Sequence, residues 1–178
     1  MKCLITGGAG FIGSNLVIRL IKLGHKITVL DNLSTGRLSN LDPVKNKIKF
    51  VNIDISVSEK SIKKYFQNVD WVFHLAGLTD IVPSIKNPSV YFKVNVKGTQ
   101  NILQISKNVR IKKFIYAASA SCYGIPKKYP TDEKSKIDPQ NPYALTKFIG
   151  EQLVLNWSSF FTMPNVSLRF FNAYGPKS

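Results

Sequence analysis

The stretch Thr6-Gly7-Gly8-Ala9-Gly10-Phe11-Ile12-Gly13-Ser14 decides the fold of this chain. It follows an apolar run, Cys3 to Thr6, and opens a segment of helical period from Ser14 to Leu23, after which a second apolar run extends from Lys26 to Leu30. Strand, glycine turn, helix and strand in that order make a βαβ unit. The glycines stand as Gly8-x-Gly10-x-x-Gly13 and also as Gly7-x-x-Gly10-x-x-Gly13. Glycine permits the tight turn, lets backbone approach a pyrophosphate and lets the helix pack on the strand, while the exposed N–H groups of the helix start bind the anion. The spacing alone is weak. Its place directly after a strand and before a helix makes it a dinucleotide-binding loop rather than turn punctuation.

Working outward, the second strand ends at Asp31, eighteen positions beyond Gly13. A carboxylate there accepts hydrogen bonds from both adenine-ribose hydroxyls and repels a 2′-phosphate, so the expected cofactor is NAD; Arg37 is the one nearby group that could accept a phosphate instead. The alternation continues with Ile48 to Val51, a polar helix around Glu59 to Phe66, Trp71 to Leu75, a long helix from Pro88 to about Asn108, and Lys113 to Ala118. After a loop rich in Pro and charge, Tyr123 to Asn141, come a helix from about Pro142 to Phe161 and a last run, Val166 to Phe171. Runs apolar on both faces belong in a parallel sheet covered by helices, which predicts a doubly wound α/β (Rossmann) architecture. Gly24 and Asp42-Pro43 read as ordinary stop and turn signals.

The 178 residues are one domain's worth of chain, with 25 basic against 10 acidic residues and a formal charge of +15. That charge invites a nucleic-acid reading. The longest basic runs, however, are pairs such as Lys112-Lys113 and Lys127-Lys128, with no interleaved aromatics, so nucleic acid is not the expected partner. The excess is carried by 21 lysines and 4 arginines beside 18 isoleucines and 14 asparagines, a background bias such as an A/T-rich coding sequence gives. With 44% hydrophobic residues the chain is globular, and no apolar run is long enough to cross a membrane. Cys3, Cys122, His25 and His74 show no metal-ligand spacing and form no disulfide framework. A reduced, cytoplasmic, metal-free protein is expected.

Pro142-Tyr143-Ala144-Leu145-Thr146-Lys147 sets a phenol and an ammonium four residues apart on one helix face. A nearby cation favours the tyrosinate and makes the phenol a usable base near neutral pH. Ser119 lies just past a predicted strand, at the carboxyl end where open α/β sheets bind ligands. His74 also ends a strand; with Tyr143 supplying the base, a satisfied structural histidine is the favoured reading over a catalytic one. Cys122 is expected to be buried, and Trp71 and Trp157 to be core or helix-face residues.

Taken together, the glycine loop, Asp31-Asn32, Asp54-Ile55, His74-Leu75-Ala76-Gly77, Asn95-Val-Lys-Gly-Thr99, Ser119…Tyr123-Gly124, Tyr143-x-x-x-Lys147 and Arg169-Phe-Phe-Asn-Ala-Tyr-Gly-Pro176 resemble the extended short-chain dehydrogenase/reductases. Within them the chain is most similar to the nucleotide-sugar 4-epimerases, of which UDP-glucose 4-epimerase is the best-known member. The resemblance implies that Gly7, Gly10, Phe11 and Ile12 hold the pyrophosphate of NAD. It assigns Asp31, Asn32, Ser34, Thr35 and Gly36 to the adenosine ribose and Asp54 and Ile55 to the adenine. Leu75, Ala76 and Gly77 would line the cofactor channel, with Asn95 beneath it, and Phe171 would lie near the nicotinamide. Lys147 would bond the nicotinamide ribose, and Asn172 would reach the substrate's diphosphate. Ser119, Tyr143 and Lys147 would be the catalytic set: Tyr143, as phenolate, takes the proton of the sugar 4-hydroxyl while hydride passes from C4 to NAD, and Ser119 bonds the same oxygen. The 4-keto sugar then turns over and is reduced on its other face.

Related sugar 4,6-dehydratases carry an Asp-Glu pair immediately after the serine or threonine, and UDP-glucuronate decarboxylases a glutamate at the second position. Here those positions are Ala120 and Ser121. Epimerisation needs no carboxylate there. Thr131-Asp132-Glu133 falls in the following loop and reads as a solvated acidic turn. Where some epimerases place a lysine shortly after the Ala-Gly pair, this chain has Thr79. Members of the family extend well past the Asn-Ala-Tyr-Gly-Pro motif, so residues 1–178 correspond to the NAD-binding domain carrying the catalytic residues, without the substrate-binding portion. The isolated chain is therefore expected to bind NAD weakly or not at all and to turn over nucleotide sugar poorly. A cofactor-binding module without turnover, or another dehydratase or reductase of the superfamily, are the alternatives. A homodimer is expected through the helices beginning near Pro88 and Pro142.

Overall fold

In a computed structural model that describes residues 1–126 and 128–176, six strands form one all-parallel sheet. They are β1 (Lys2–Thr6), β2 (Lys26–Asp31), β3 (Ile48–Asn52), β4 (Trp71–His74), β5 (Lys113–Ser119) and β6 (Asn165–Phe170). Their spatial order is β3-β2-β1-β4-β5-β6, so the order of winding switches between β1 and β4. This is the doubly wound architecture expected from the sequence.

The inner strands β1, β2, β4 and β5 are apolar on both sides because each lies between two packed layers. In β1, Cys3 and Ile5 join one core with Val17 and Leu20 of α1 (Phe11–Lys22) and with Val29 and Phe73. Leu4 between them points to the opposite core, with Phe66, Val72, Ile102, Leu103, Phe114 and Val154. That second core is covered by α2 (Glu59–Lys63, continued as a 3-10 turn to Phe66), by α5 (Thr99–Asn108) and by α6 (Pro142–Phe161). Trp71 packs at the margin of the first core and Trp157 at the margin of the second.

Several elements differ from the sequence reading. The first helix starts at Phe11 rather than Ser14, because Gly10 is its N-terminal cap and the last glycine of the loop already lies in the first turn. Leu38–Lys47 is a 3-10 run, so Asp42-Pro43 sits within it and does not end it. A short helix, α3 (Ile81–Lys86), holds Pro83 in its first turn, where proline removes no intrahelical bond. The long helix expected from Pro88 is divided into α4 (Pro88–Tyr91), a π-helical stretch Phe92–Gly98 and α5. Asn95 sits in the middle of the π turn. No helix among the described residues is long and apolar enough to cross a membrane.

Candidate active site

At the carboxyl ends of the strands, where β1 and β4 part, a cleft of about 1190 Å³ opens. It runs from Asp54 and Ile55, past the glycine loop and Leu75-Ala76-Gly77, to Ser119, Tyr143, Lys147, Phe171 and Asn172. Gly7, Gly10, Phe11, Ile12, Asp31, Asn32, Ser34, Thr35 and Gly36 line it as well. Residues far apart in sequence are thus brought to one surface.

The glycine loop is shaped for a close approach. Gly7 has φ +70°, and a Cβ there would lie 2.6 Å from the Ala76 nitrogen; a Cβ on Gly13 would lie 2.1 Å from the Gly7 carbonyl oxygen. These two positions exclude any side chain. The first intrahelical bond of α1 is Ser14 N to Gly10 O, and no side chain caps the helix. The amides of Phe11, Ile12 and Gly13 therefore carry the positive end of the helix dipole at the cleft surface, a site suited to a pyrophosphate. Asp31, only 7% exposed, accepts Ala9 N at 2.9 Å through Oδ2 and Leu33 N at 2.8 Å through Oδ1. It fixes the loop and lines the cleft, and a carboxylate accepts more than two hydrogen bonds, so it could also take ribose hydroxyls. Asn32 Oδ1 and Asp54 Oδ1 accept Ser34 N (3.1 Å) and Ser56 N (2.7 Å), bonds that shape the turns around the adenosine end. Steric room, free helix-start amides and a carboxylate at the end of β2 together fit a dinucleotide.

At the other end, the Tyr143 hydroxyl donates to Ser119 Oγ at 3.1 Å. Ser119 Oγ also accepts Ser121 N (3.2 Å) and pairs with Ser121 Oγ at 2.7 Å. Tyr143 stands in the first turn of α6, whose cap is satisfied on both sides: Asn141 Oδ1 accepts Ala144 N (2.9 Å) and Ser84 Oγ accepts Tyr143 N (3.2 Å). One turn on, Lys147 is 6% exposed with its ammonium 4.5 Å from the centre of the Tyr116 ring. Burial lowers its pKa to about 8, against the opposing field of Glu151. A Cβ added at Gly77 would lie 3.7 Å from Lys147 Nζ, which puts the ammonium at the wall of the cofactor channel.

His74 is wholly buried and structural. Thr99 donates its hydroxyl to the Asn95 carbonyl (2.6 Å), so it accepts from His74 Nε2 (2.9 Å); His74 Nδ1 then accepts from Thr6 Oγ1 (2.7 Å), which in turn accepts Ala76 N (3.2 Å). This chain fixes the tautomer and ties the channel loop to the sheet. Burial, then the field of Lys147, holds the imidazole neutral with a pKa of about 3. Asn95 differs from the other expected cofactor residues. Its side chain accepts Leu78 N (2.8 Å) and donates to Leu78 O (3.0 Å) and Thr146 Oγ1 (3.1 Å), so it braces the channel from behind and does not line the cleft.

The acidic turn behaves as expected: Asp132 caps Lys134 N (3.0 Å) and Ser135 Oγ (3.1 Å), and neither Asp132 nor Glu133 lines the cleft. Ser121, noted in the sequence only as the lack of an acid, is the direct partner of Ser119. Tyr129, Pro130 and Thr131 line the cleft too, although nothing in the residue types of that loop announces it.

The comparisons with known proteins agree with this geometry. The chain is 38% identical over 175 residues to a putative UDP-glucose 4-epimerase of Methanocaldococcus jannaschii, covering 98% of this chain and 56% of that protein. It superposes with a TM-score of 0.94 on a UDP-glucose 4-epimerase of Thermotoga maritima solved with UDP-glucose, at 33% identity, covering 99% of this chain and 57% of that one. The same TM-score, at 30% identity and the same coverages, relates it to a dTDP-glucose 4,6-dehydratase of Streptomyces venezuelae with NAD bound. The backbone alone therefore does not separate the two reactions. The chain spans about half the length of these relatives. Residues 3–178 match one family along their whole length, and that family is NAD-dependent. With the dinucleotide cleft and the Ser119–Tyr143–Lys147 set in place, this chain belongs to the NAD dependent epimerase/dehydratase family.

Proposed function

We propose that residues 1–178 form the cofactor-binding and catalytic half of a nucleotide-sugar 4-epimerase, acting on UDP-glucose/UDP-galactose or the N-acetyl or glucuronate analogue. The observation that carries this reading is the Tyr143–Ser119 hydrogen bond, 3.1 Å, beside buried Lys147, with Ala120 and Ser121 at the positions where dehydratases carry acids. Inversion at one carbon needs a proton acceptor and a hydride acceptor and nothing more. Bound NAD supplies the hydride acceptor at C4 and returns the hydride.

The chain's own residues do the rest. Tyr143, ionised, takes the proton of the 4-hydroxyl, and Ser119 bonds the same oxygen, held in place by Ser121 N and Oγ. The Lys147 cation favours the phenolate, and its desolvated setting strengthens that influence. Gly7, Gly10, Phe11 and Ile12 bind the pyrophosphate, Asp31 the ribose, and Asn172 the sugar nucleotide's diphosphate. Two copies associate through the exposed apolar side chains of α3, α4 and α6. The buried free thiols of Cys3 and Cys122 fit a reducing, cytoplasmic setting.

The test is to heat-denature a purified full-length form, identify the released nucleotide, and assay UDP-glucose, UDP-N-acetylglucosamine and UDP-glucuronate for C4 inversion. Tyr143→Phe should abolish inversion and leave the nucleotide bound. Inversion persisting in that variant overturns the base assignment, and bound NAD without any inversion identifies a cofactor module instead.

A further inference from the structure

Tyr123, Tyr129, Pro130 and Thr131 form the wall of the cleft beside Ser119 and Ser121. The loop that carries them is closed at its base by Asp138 N donating to Cys122 O at 2.8 Å. Within it, Asp132 bonds only its neighbours, Lys134 N and Ser135 Oγ. Among the described residues, one hydrogen bond ties the segment 128–137 to a strand or helix: Arg169 Nη1 donates to the Glu133 carbonyl at 3.2 Å. The same Nη1 donates to the Tyr123 hydroxyl at 2.7 Å.

Arg169 can do this because its other side is fixed. Nε donates to both carboxylate oxygens of Glu151, at 3.1 and 3.0 Å, and the Glu151 side chain is 5% exposed. Ser167 Oγ, two residues before Arg169 on β6, adds a bond to Glu151 Oε1 at 3.0 Å. Tyr143, Lys147 and Glu151 lie at successive i, i+4 positions on α6, so the anchor belongs to the same helix as the catalytic pair. The arrangement needs a planar fork with donors on two edges. Lysine, which outnumbers arginine 21 to 4 in this chain, offers a point charge and cannot supply it.

We propose that Arg169 is a positioning residue that pins Tyr123 and the segment 128–137 as the outer wall of the sugar end of the cleft, using Glu151 of the catalytic helix as its fixed point. The assignment of that end to the sugar rests on the function proposed above; the pinning itself does not.

The experiment is backbone hydrogen exchange on the purified chain, read segment by segment, in the native protein and in Arg169→Met, Arg169→Lys and Tyr123→Phe, with NADH binding followed by fluorescence. Arg169→Met should speed exchange of 128–137 by about tenfold or more, the loss of a charged hydrogen-bond set, with β1 and β4 unchanged and NADH affinity altered less than about threefold. Arg169→Lys should fall between, since it keeps the ion pair and loses the fork. Should Arg169→Met fail to fold, Tyr123→Phe removes one arm of the fork without touching the buried charge, and should speed exchange of 128–137 to a smaller extent. Unchanged exchange of 128–137 in the folded variants overturns the proposal, as does acceleration spread equally over the sheet. Failure of the full-length protein to bind NADH overturns the functional reading, while the exchange result still decides the role of Arg169.

Discussion

Burial brings the Lys147 ammonium down to about 8 from its ordinary 10.5, with Glu151 one turn further along α6 opposing the shift. Between those two values the unfolded chain holds a proton that the folded chain has released. Stability is therefore lost as pH falls from about 10.5 to 8, and the deficit persists at lower pH. Lys147→Met should stabilise the protein by about 1–3 kcal/mol at pH 7 while weakening NAD binding. Thermal melts at pH 7 and 10.5 check this: the gap between variant and native protein should shrink at the higher pH. His74 titrates in the other window. Its imidazole is held near 3 by burial and then by Lys147, so the unfolded chain takes up a proton that the folded chain refuses, and stability drains as pH falls below about 6.5. By pH 4.5 this loss reaches about 2–3 kcal/mol. In urea unfolding at pH 6.5 and 4.5, His74→Gln should lose less stability between the two pH values than the native protein does. An equal loss would show that His74 is not the group responsible.

Helix α6 presents Ala144, Lys147, Gly150, Glu151 and Val154 to the sheet. Gly150 allows the approach: a Cβ there would lie 2.3 Å from the Tyr116 hydroxyl, which is buried and donates to the Lys147 carbonyl at 3.2 Å. Gly150→Ala gains about 1 kcal/mol of helix propensity and loses more to overpacking against a rigid ring, so a net destabilisation of about 1–2 kcal/mol is expected. Calorimetry measures the loss. Because Tyr143 and Lys147 ride on the same helix, activity should fall further than stability does. The span of α6 from Pro142 to Phe161 was legible in the sequence because helical period and an N-terminal proline act locally, and the structure adds Asn141 as its cap. The π turn around Asn95 was not. It depends on Asn95 bonding Leu78 and Thr146, which are distant in sequence.

Over the whole molecule, α3, α4 and α6 pack together and leave Ile81, Val82, Ile85, Val90, Phe92 and Leu145 exposed. Exposed apolar side chains gathered on packed helices are suited to an interface. If two copies meet there, Leu145→Glu combined with Ile85→Glu should turn a dimer into a monomer by sedimentation velocity, with the far-UV dichroism unchanged. A dimer surviving in the double variant would place the interface elsewhere. The two sheet edges also differ. On one side β3 carries Lys49 at the edge, with Lys47 just before it, which discourages strand addition. On the other, β6 exposes Val166, Leu168 and Phe170 and turns Ser167 and Arg169 inward toward Glu151.

The doubly wound sheet and the glycine loop at the end of β1 were legible in the sequence, which also singled out Ser119, Tyr143 and Lys147. Each of these is written in short-range signals: apolar runs, glycine spacing, a four-residue step on one helix. What those residues touch depends on how the elements pack. The tertiary structure gave His74 its partners Thr6 and Thr99, tied Asn95 to Leu78 and Thr146, paired Ser121 with Ser119 and gave Arg169 its hold on the loop. These are contacts between residues that lie on different elements, or that only the turn following β5 brings together. Periodicity tells a side chain which face it occupies; the meeting of two faces fixes its partners.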